Sequence, residues 1–340
     1  MDKIINAIFV FNIQLFASPL APTAGQGDAG PVNVTTSSGV SAEMKTFYNN
    51  QLLQNVRANL VFNHFGKKTT LPKGNGKNVE WRRMKTFAPI TTPLQEGQIP
   101  TGNSLEFEVK TAPVAQYGDY TAISDVLEFA SVDPLIGETN NEHAANAALS
   151  LDSLTRDIVC AGTNLYFAGA VADADKITAA SRMSYEEVAI MSTLLERNNT
   201  PLIDGSYVCI VHPDVATDLM LSERFIDVAK YSAATKIFNN EIGKLHNVRF
   251  VKSTNAKIEK NASNVSVYNC IFFGLEAWGV IDPEGMGLET IIKGKGEIGG
   301  PLEQYSTVGW KAMHGAKILY EERMINYQCS SSLSAVATAN

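Results

Sequence analysis

Two short apolar runs dominate the middle of the chain. Tyr207-Val208-Cys209-Ile210-Val211 contains no polar residue, and Val248-Arg249-Phe250-Val251 follows it downstream. Runs this short and continuous read as strands covered on both faces. Between them, His212-Pro213-Asp214 predicts the start of a short helix bearing Val215, Leu219 and Met220, because proline suits the first helical position. A second helical segment and Asn240-Glu241-Ile242-Gly243-Lys244-Leu245 complete an α/β block.

On either side of this block the periodicity alternates between helix and strand. Met44, Phe47, Leu52, Val56, Leu60 and Phe65 recur at helical spacing, with Gly66 as the stop and Lys67 and Lys68 beside the negative end. Val79 to Met84 predicts a strand, and Leu105-Glu106-Phe107-Glu108-Val109 alternates cleanly as another. The long stretch between them is punctuated by Pro89, Pro93, Gly97, Pro100 and Gly102. Such a loop inside a compact domain marks a binding segment or disorder. Flanked by two strands, it becomes a projecting hairpin, which is barely stable in water unless something covers it.

Ala144, Ala147, Leu151, Leu154, Ile158 and Ala161 mark the apolar stripe of the longest predicted helix, which starts near Asp133-Pro134 and ends before Gly162. From Glu138 to Ala161 it would span roughly 36 Å. Ser184 with Glu187 is a capping-box signature for a helix whose Val188, Met191, Leu194 and Leu195 face inward. Strands are expected at Val265 to Phe273, Trp278 to Ile281, Leu288 to Lys293, Tyr305 to Met313 and Ala316 to Tyr327. Residues 18 to 42 are too poor in large apolar groups to offset their ordering entropy. Ser330 to Asn340 reads as a small-residue tail.

Composition narrows the function. The 340 residues carry 45% hydrophobic and 19% charged side chains and a net charge of -7. A dedicated DNA-groove binder needs clustered cations and is excluded. The low charge is what a surface covered by neighbours would show. Cys160, Cys209, Cys270 and Cys329 include no Cys-x-x-Cys pair and are expected to be free thiols. Met1 to Ala17 is apolar and could pass for a secretory leader ending at Ala17-Ser18-Pro19, but Asp2, Asn6, Asn12 and Gln14 interrupt it. Ile4 to Phe16 is too short to span a bilayer, and no membrane partner is expected.

No motif carries chemistry convincingly. Gly294, Gly296 and Gly299 match Gly-x-Gly-x-x-Gly, but Pro301 follows where a helix N-terminus must meet a pyrophosphate. His64, His143, His212, His246 and His314 form no metal-ligand spacing. His212 with Asp214 is the most tempting general base; helix capping by His212 is the plainer reading. The expected catalytic, cofactor-binding and metal residues are therefore none, and no enzyme activity is expected. Arg82, Arg83 and Lys85 form a basic cluster on the hairpin, read either as a solvated strand face or as ion pairs to an acidic neighbour. Sequons at Asn33, Asn198, Asn261 and Asn264 matter only in a secreted chain.

Taken in order, the segments resemble the major capsid proteins of tailed bacteriophages, whose shell fold is shared with herpesvirus capsids and encapsulins. The chain is more narrowly similar to the N-four-like podovirus subfamily. The likeness is carried by Tyr207-Val208-Cys209-Ile210-Val211-His212-Pro213, Ile242-Gly243-Lys244-Leu245, Phe273-Gly274-Leu275-Glu276-Ala277-Trp278-Gly279-Val280 and Val308-Gly309-Trp310-Lys311, over roughly residues 40 to 328. Related chains often begin near a segment like Asn12-Ile13-Gln14-Leu15-Phe16-Ala17, so the preceding residues read as an extension or a misplaced start.

The resemblance implies an α+β tailed-phage major capsid fold. Residues 1–45 would be a flexible extension, 46–76 the N-terminal arm and 77–111 the extended loop. A peripheral domain at 112–180 and 294–329 would carry the long spine helix, with 181–293 the axial α/β domain and 330–340 the tail. It implies pentamers and hexamers of the chain in an icosahedral virion capsid around double-stranded DNA, without sequence-specific binding. Assembly would occur in the host bacterial cytoplasm, with a separate scaffolding protein, a portal and a decoration protein as partners. An encapsulin-type storage compartment, a hydrolase using His212 and Asp214, and a secreted surface protein are the competing readings.

Overall fold

The computed structural model describes residues 61–93, 96, 97, 99, 102–130, 135–222, 241–294, 296–298, 302–335 and 337–340. The expected helix up to residue 60, the segment at 18–42, the N-terminal leader, most of the arm, the Asn33 sequon and the helical segment after Ser222 lie outside these residues.

The described elements run from a single turn, α1 (Phe62–Phe65), to strands β1 (Lys67–Leu71), β2 (Asn78–Met84), β3 (Phe107–Pro113) and β4 (Ala115–Ser124). Helices α2 (Asp125–Ala130) and α3 (Leu135–Cys160), strand β5 (Leu165–Phe167) and helix α4 (Tyr185–Arg197) follow. Then come β6 (Tyr207–Val211), α5 (Pro213–Met220), β7 (Glu241–Leu245), β8 (Val248–Lys252), β9 (Ile258–Lys260) and β10 (Ser266–Phe273). The chain closes with β11 (Trp278–Pro283), β12 (Glu289–Lys293), β13 (Tyr305–Ile318) and β14 (Met324–Cys329). These residues form two compact units.

The larger unit is built on a mixed sheet of order β5-β14-β10-β6-β8-β7, with β9 on β10. β6 and β8 are parallel, so the chain must cross over between them, and α5 lies on that route. Every residue of β6, β10 and β14 is buried, which explains the uninterrupted apolar run of β6; the polar Asn269 of β10 and Gln328 of β14 pair with each other. Alternate side chains serve two cores. Tyr207, Cys209 and Val211 join Met191, Leu195, Val215 and Leu219 from α4 and α5 on one face. Val208 and Ile210 join Phe62, Val159, Trp278 and Ile318 on the other. The β7–β8 hairpin turns through His246 and Asn247, both at positive φ (46° and 63°), the conformation of a two-residue primed turn.

In the same unit β1 lies parallel to β11, and β11 pairs antiparallel with the end of β13. In the smaller unit, α2 abuts the stretch before β13 through Asp125 N–H donating to Gln304 O. Ile123, Ile292 and Val308 make its core.

Several expectations need correction. One 14-residue strand, β13, replaces the expected break after Met313, and a 3-10 turn at Glu321–Arg323 interrupts the run expected to continue to Tyr327. Gly315 carries β13 past Pro113, whose carbonyl would lie 2.7 Å from an added Cβ. The buried face of α3 also departs from the apolar stripe beyond Leu151. Asp152, Thr155, Arg156 and Val159 are buried, whereas Ala161 lies past the helix and is exposed. Polar residues can occupy that face because each finds a partner. Asp152 accepts the Phe62 N–H at 2.8 Å, and Arg156 donates to Asn255 O at 3.2 Å. The C-terminal residues are tied down: Ser331 Oγ and the Ser332 N–H donate to Asp218, and Asn340 Oδ1 accepts from Ile258.

Candidate functional site

The hairpin β2–β3 is where the structure departs most from an ordinary globular surface. Its register pairs Val79 with Ala112, Trp81 with Lys110 and Arg83 with Glu108 on one face. That face turns toward the body: Val79 and Ala112 are buried with Val114 and Ile281, and Trp81 Nε1 donates to Thr69 Oγ1 at 3.0 Å. Gly279 makes room for the indole, since a Cβ there would sit 3.0 Å from the Trp81 ring.

The opposite face pairs Glu80 with Thr111, Arg82 with Val109 and Met84 with Phe107. Met84 is 51%, Phe107 59% and Val109 47% exposed. Leu105, Phe87, Ile90 and Ile99, in the connection between the two strands, are exposed as well. Past the base, Arg83 and Glu108 lie on the face toward the body, and Met84, Phe107 and Val109 lie on the exposed face beside Arg82. Exposed large apolar side chains grouped on one strand face mark an interaction site.

The basic cluster is paired within the chain. Arg82 meets Glu80, Lys85 meets Glu106 at 2.7 Å, and Arg83 meets Glu108 at 2.8 Å and Glu322 at 2.5 Å. These lysine and arginine partners hold the carboxyls of Glu106, Glu108 and Glu322 below the usual range. A second exposed apolar group, Val126, Leu127 and Phe129 on α2 of the smaller unit, went unnoticed in the sequence because α2 is too short to show a stripe.

His212 and Asp214 lie at the start of α5. His212 is the N-cap of α5, its Nδ1 accepting the Asp214 N–H at 3.3 Å. Burial holds its pKa down against the nearby Asp214 carboxylate. Asp214 Oδ2 accepts the Tyr268 hydroxyl at 2.7 Å. His212 Nδ1 also lies 3.3 Å from Asp214 Oδ2, so the same nitrogen meets both the amide and the carboxylate of Asp214. Around Gly294 and Gly296 the chain turns, with no helix following among the described residues; Gly299 lies outside them.

All four cysteines are free and buried, and desolvation raises Cys160 to about 12. Asn261 Nδ2 donates to Ala174 O and Ile177 O while its Oδ1 accepts two loop amides, and Asn198 Nδ2 donates to Glu322 O. Among the described residues no His, Cys, Asp and Glu cluster could hold a metal. No described helix is long and apolar enough to cross a membrane.

The phage capsid protein family model matches residues 108–324. The chain belongs to the phage capsid protein family. Many copies of it form a capsid shell, and it is the major capsid protein of that shell. Solved structures agree on the α+β fold. The capsid of the cyanophage P-SCSP1u is 14% identical with a TM-score of 0.59, covering 92% of this chain and 93% of that one. The capsid of Ralstonia phage GP4 is 14% identical with a TM-score of 0.63, covering 80% and 88%. The cyanophage Pam1 capsid is 11% identical with a TM-score of 0.63, covering 93% and 100%. No match was found among the curated proteins.

Proposed function

We propose that the β2–β3 hairpin is the clasp by which one copy of this capsid protein grips the next. The observation that carries the reading is the exposed stripe of Met84, Phe107 and Val109 on the face turned away from the body. A two-stranded ribbon with an apolar outer face is unstable in water. In a protein that assembles with itself, the nearest cover is a second copy.

On this reading residues 77–111 are the extended loop and 46–76 the arm crossing between neighbours. Residues 112–180 with 294–329 make the peripheral domain around α3, and 181–293 the axial domain packed around a symmetry axis. The shell is icosahedral, made of pentamers and hexamers, assembled in the bacterial cytoplasm, and filled with double-stranded DNA held without sequence-specific contacts. The acidic balance, -7 overall, suits a wall that must not retain the genome. A scaffolding protein, a portal and a decoration protein are the further partners. The narrower likeness to the N-four-like podovirus subfamily rests on the sequence runs alone. The chain is read as structural, without catalysis, cofactor or metal.

Sedimentation of the chain lacking residues 86–102, made together with its scaffolding protein beside the intact chain made the same way, tests the clasp. The expected result is a folded, unassembled species; shells formed by the deleted chain would overturn the assignment. In the same experiment, the intact chain made alone should stay unassembled and form shells only with its scaffolding protein. Uniform shells from the chain alone would remove that partner.

A further inference from the structure

We infer that Arg83 is the positioning residue that sets the angle of the hairpin on the body, and so where its outer face meets a neighbour. The inference rests on the hairpin being the contact between copies.

Near its base the hairpin is held by Val79, Ala112 and Val114 against Ile281 and by the Trp81–Thr69 hydrogen bond. These contacts form a pivot. Farther out, the ion pair of Lys85 with Glu106 is cross-strand and does not reach the body. Arg83 does. Its Nη1 donates to Glu322 Oε1 at 2.5 Å, across 239 residues of sequence, while its Nε donates to Glu108 Oε2 at 2.8 Å on the hairpin itself. The guanidinium also lies 4.9 Å from the centroid of the Tyr320 ring. A planar fork with several N–H groups suits this role, one donor to each carboxylate and a flat face to the ring.

The receiving end is fixed. Glu322 sits in the turn Glu321–Arg323, where Arg323 lies 3.7 Å over the same Tyr320 ring and donates to Leu275 O at 3.2 Å. Asn198 Nδ2 donates to Glu322 O at 3.0 Å, and Gly274 N–H donates to Arg323 O at 3.0 Å. A half-exposed ion pair adds little to global stability. Its effect here is geometric, because a ribbon hinged at one end takes its angle from the outermost contact.

The experiment uses the full chain with spin labels on Thr92→Cys and Lys260→Cys. Both sites are exposed, and the four native cysteines are buried. The intact latch should give one narrow distance distribution. Glu322→Gln and Arg83→Met, each with an unchanged circular dichroism spectrum, should broaden or displace it and lower the yield of shells several-fold. Unchanged distances and yields in both variants would overturn the role of Arg83. If the chain lacking residues 86–102 still assembles, the clasp reading fails instead, whatever the distances show.

Discussion

At the scale of single residues, the chain spends its buried polar groups on holding elements together. His314 is an example. Its Nε2 lies 2.9 Å from Thr155 Oγ1, whose hydroxyl in turn donates to Asn63 Oδ1. Since that hydroxyl has one proton, His314 donates from Nε2. Burial lowers its pKa to about 4. In the unfolded chain an imidazole titrates near about 6.5. As pH falls, the unfolded state therefore binds the proton first. The stability contributed by neutral His314 is fully present above about pH 6.5 and is lost between there and about pH 4, by up to roughly 3 kcal/mol. Urea unfolding at pH 7 and pH 4.5 should show a smaller loss in His314→Gln than in the unaltered chain. Equal losses would mean the network does not hold the ring neutral.

At the scale of elements, legibility in the sequence follows the kind of force involved. β6 was readable to the residue because a strand covered on both faces has a continuous apolar run and His212-Pro213 ends it. α4 was readable because its cap is local. Ser184 Oγ accepts the Glu187 N–H at 3.3 Å, and Glu187 Oε2 accepts the Ser184 N–H at 3.0 Å. Ser184→Ala should lower stability by about 1 kcal/mol in thermal or urea unfolding; no change would show that the Tyr327–Glu187 hydrogen bond at 2.7 Å holds the helix start by itself. The long helix was found, but its buried face was misplaced beyond Leu151, since Asp152 and Thr155 are sheltered by partners distant in sequence. β1 lies where the sequence shows only Lys67 and Lys68 following the Gly66 stop. Its parallel pairing with β11 is non-local and leaves no periodic signal in five residues. The clean alternation of Leu105, Phe107 and Val109 was read as a strand. That these residues face solvent could not be read, because alternation marks a face without saying what covers it.

At the scale of the whole molecule, the proposed clasp makes a single copy incomplete. Two cores around the β6–β10–β14 sheet stabilise the body, whereas past its base the hairpin turns Arg83 and Glu108 toward the body and leaves Met84, Phe107 and Val109 exposed beside Arg82. A monomer would have no use for that order. A shell subunit has one, because the outer face becomes interior once a neighbour lies on it. His212 begins a helix, the chain turns around Gly294 and Gly296, and the four cysteines are buried. The most direct measurement is electron cryomicroscopy of shells assembled from the intact chain. The account predicts that Met84, Phe107 and Val109 of each copy are buried against a neighbouring copy. Shells in which that face remains open to solvent would contradict it.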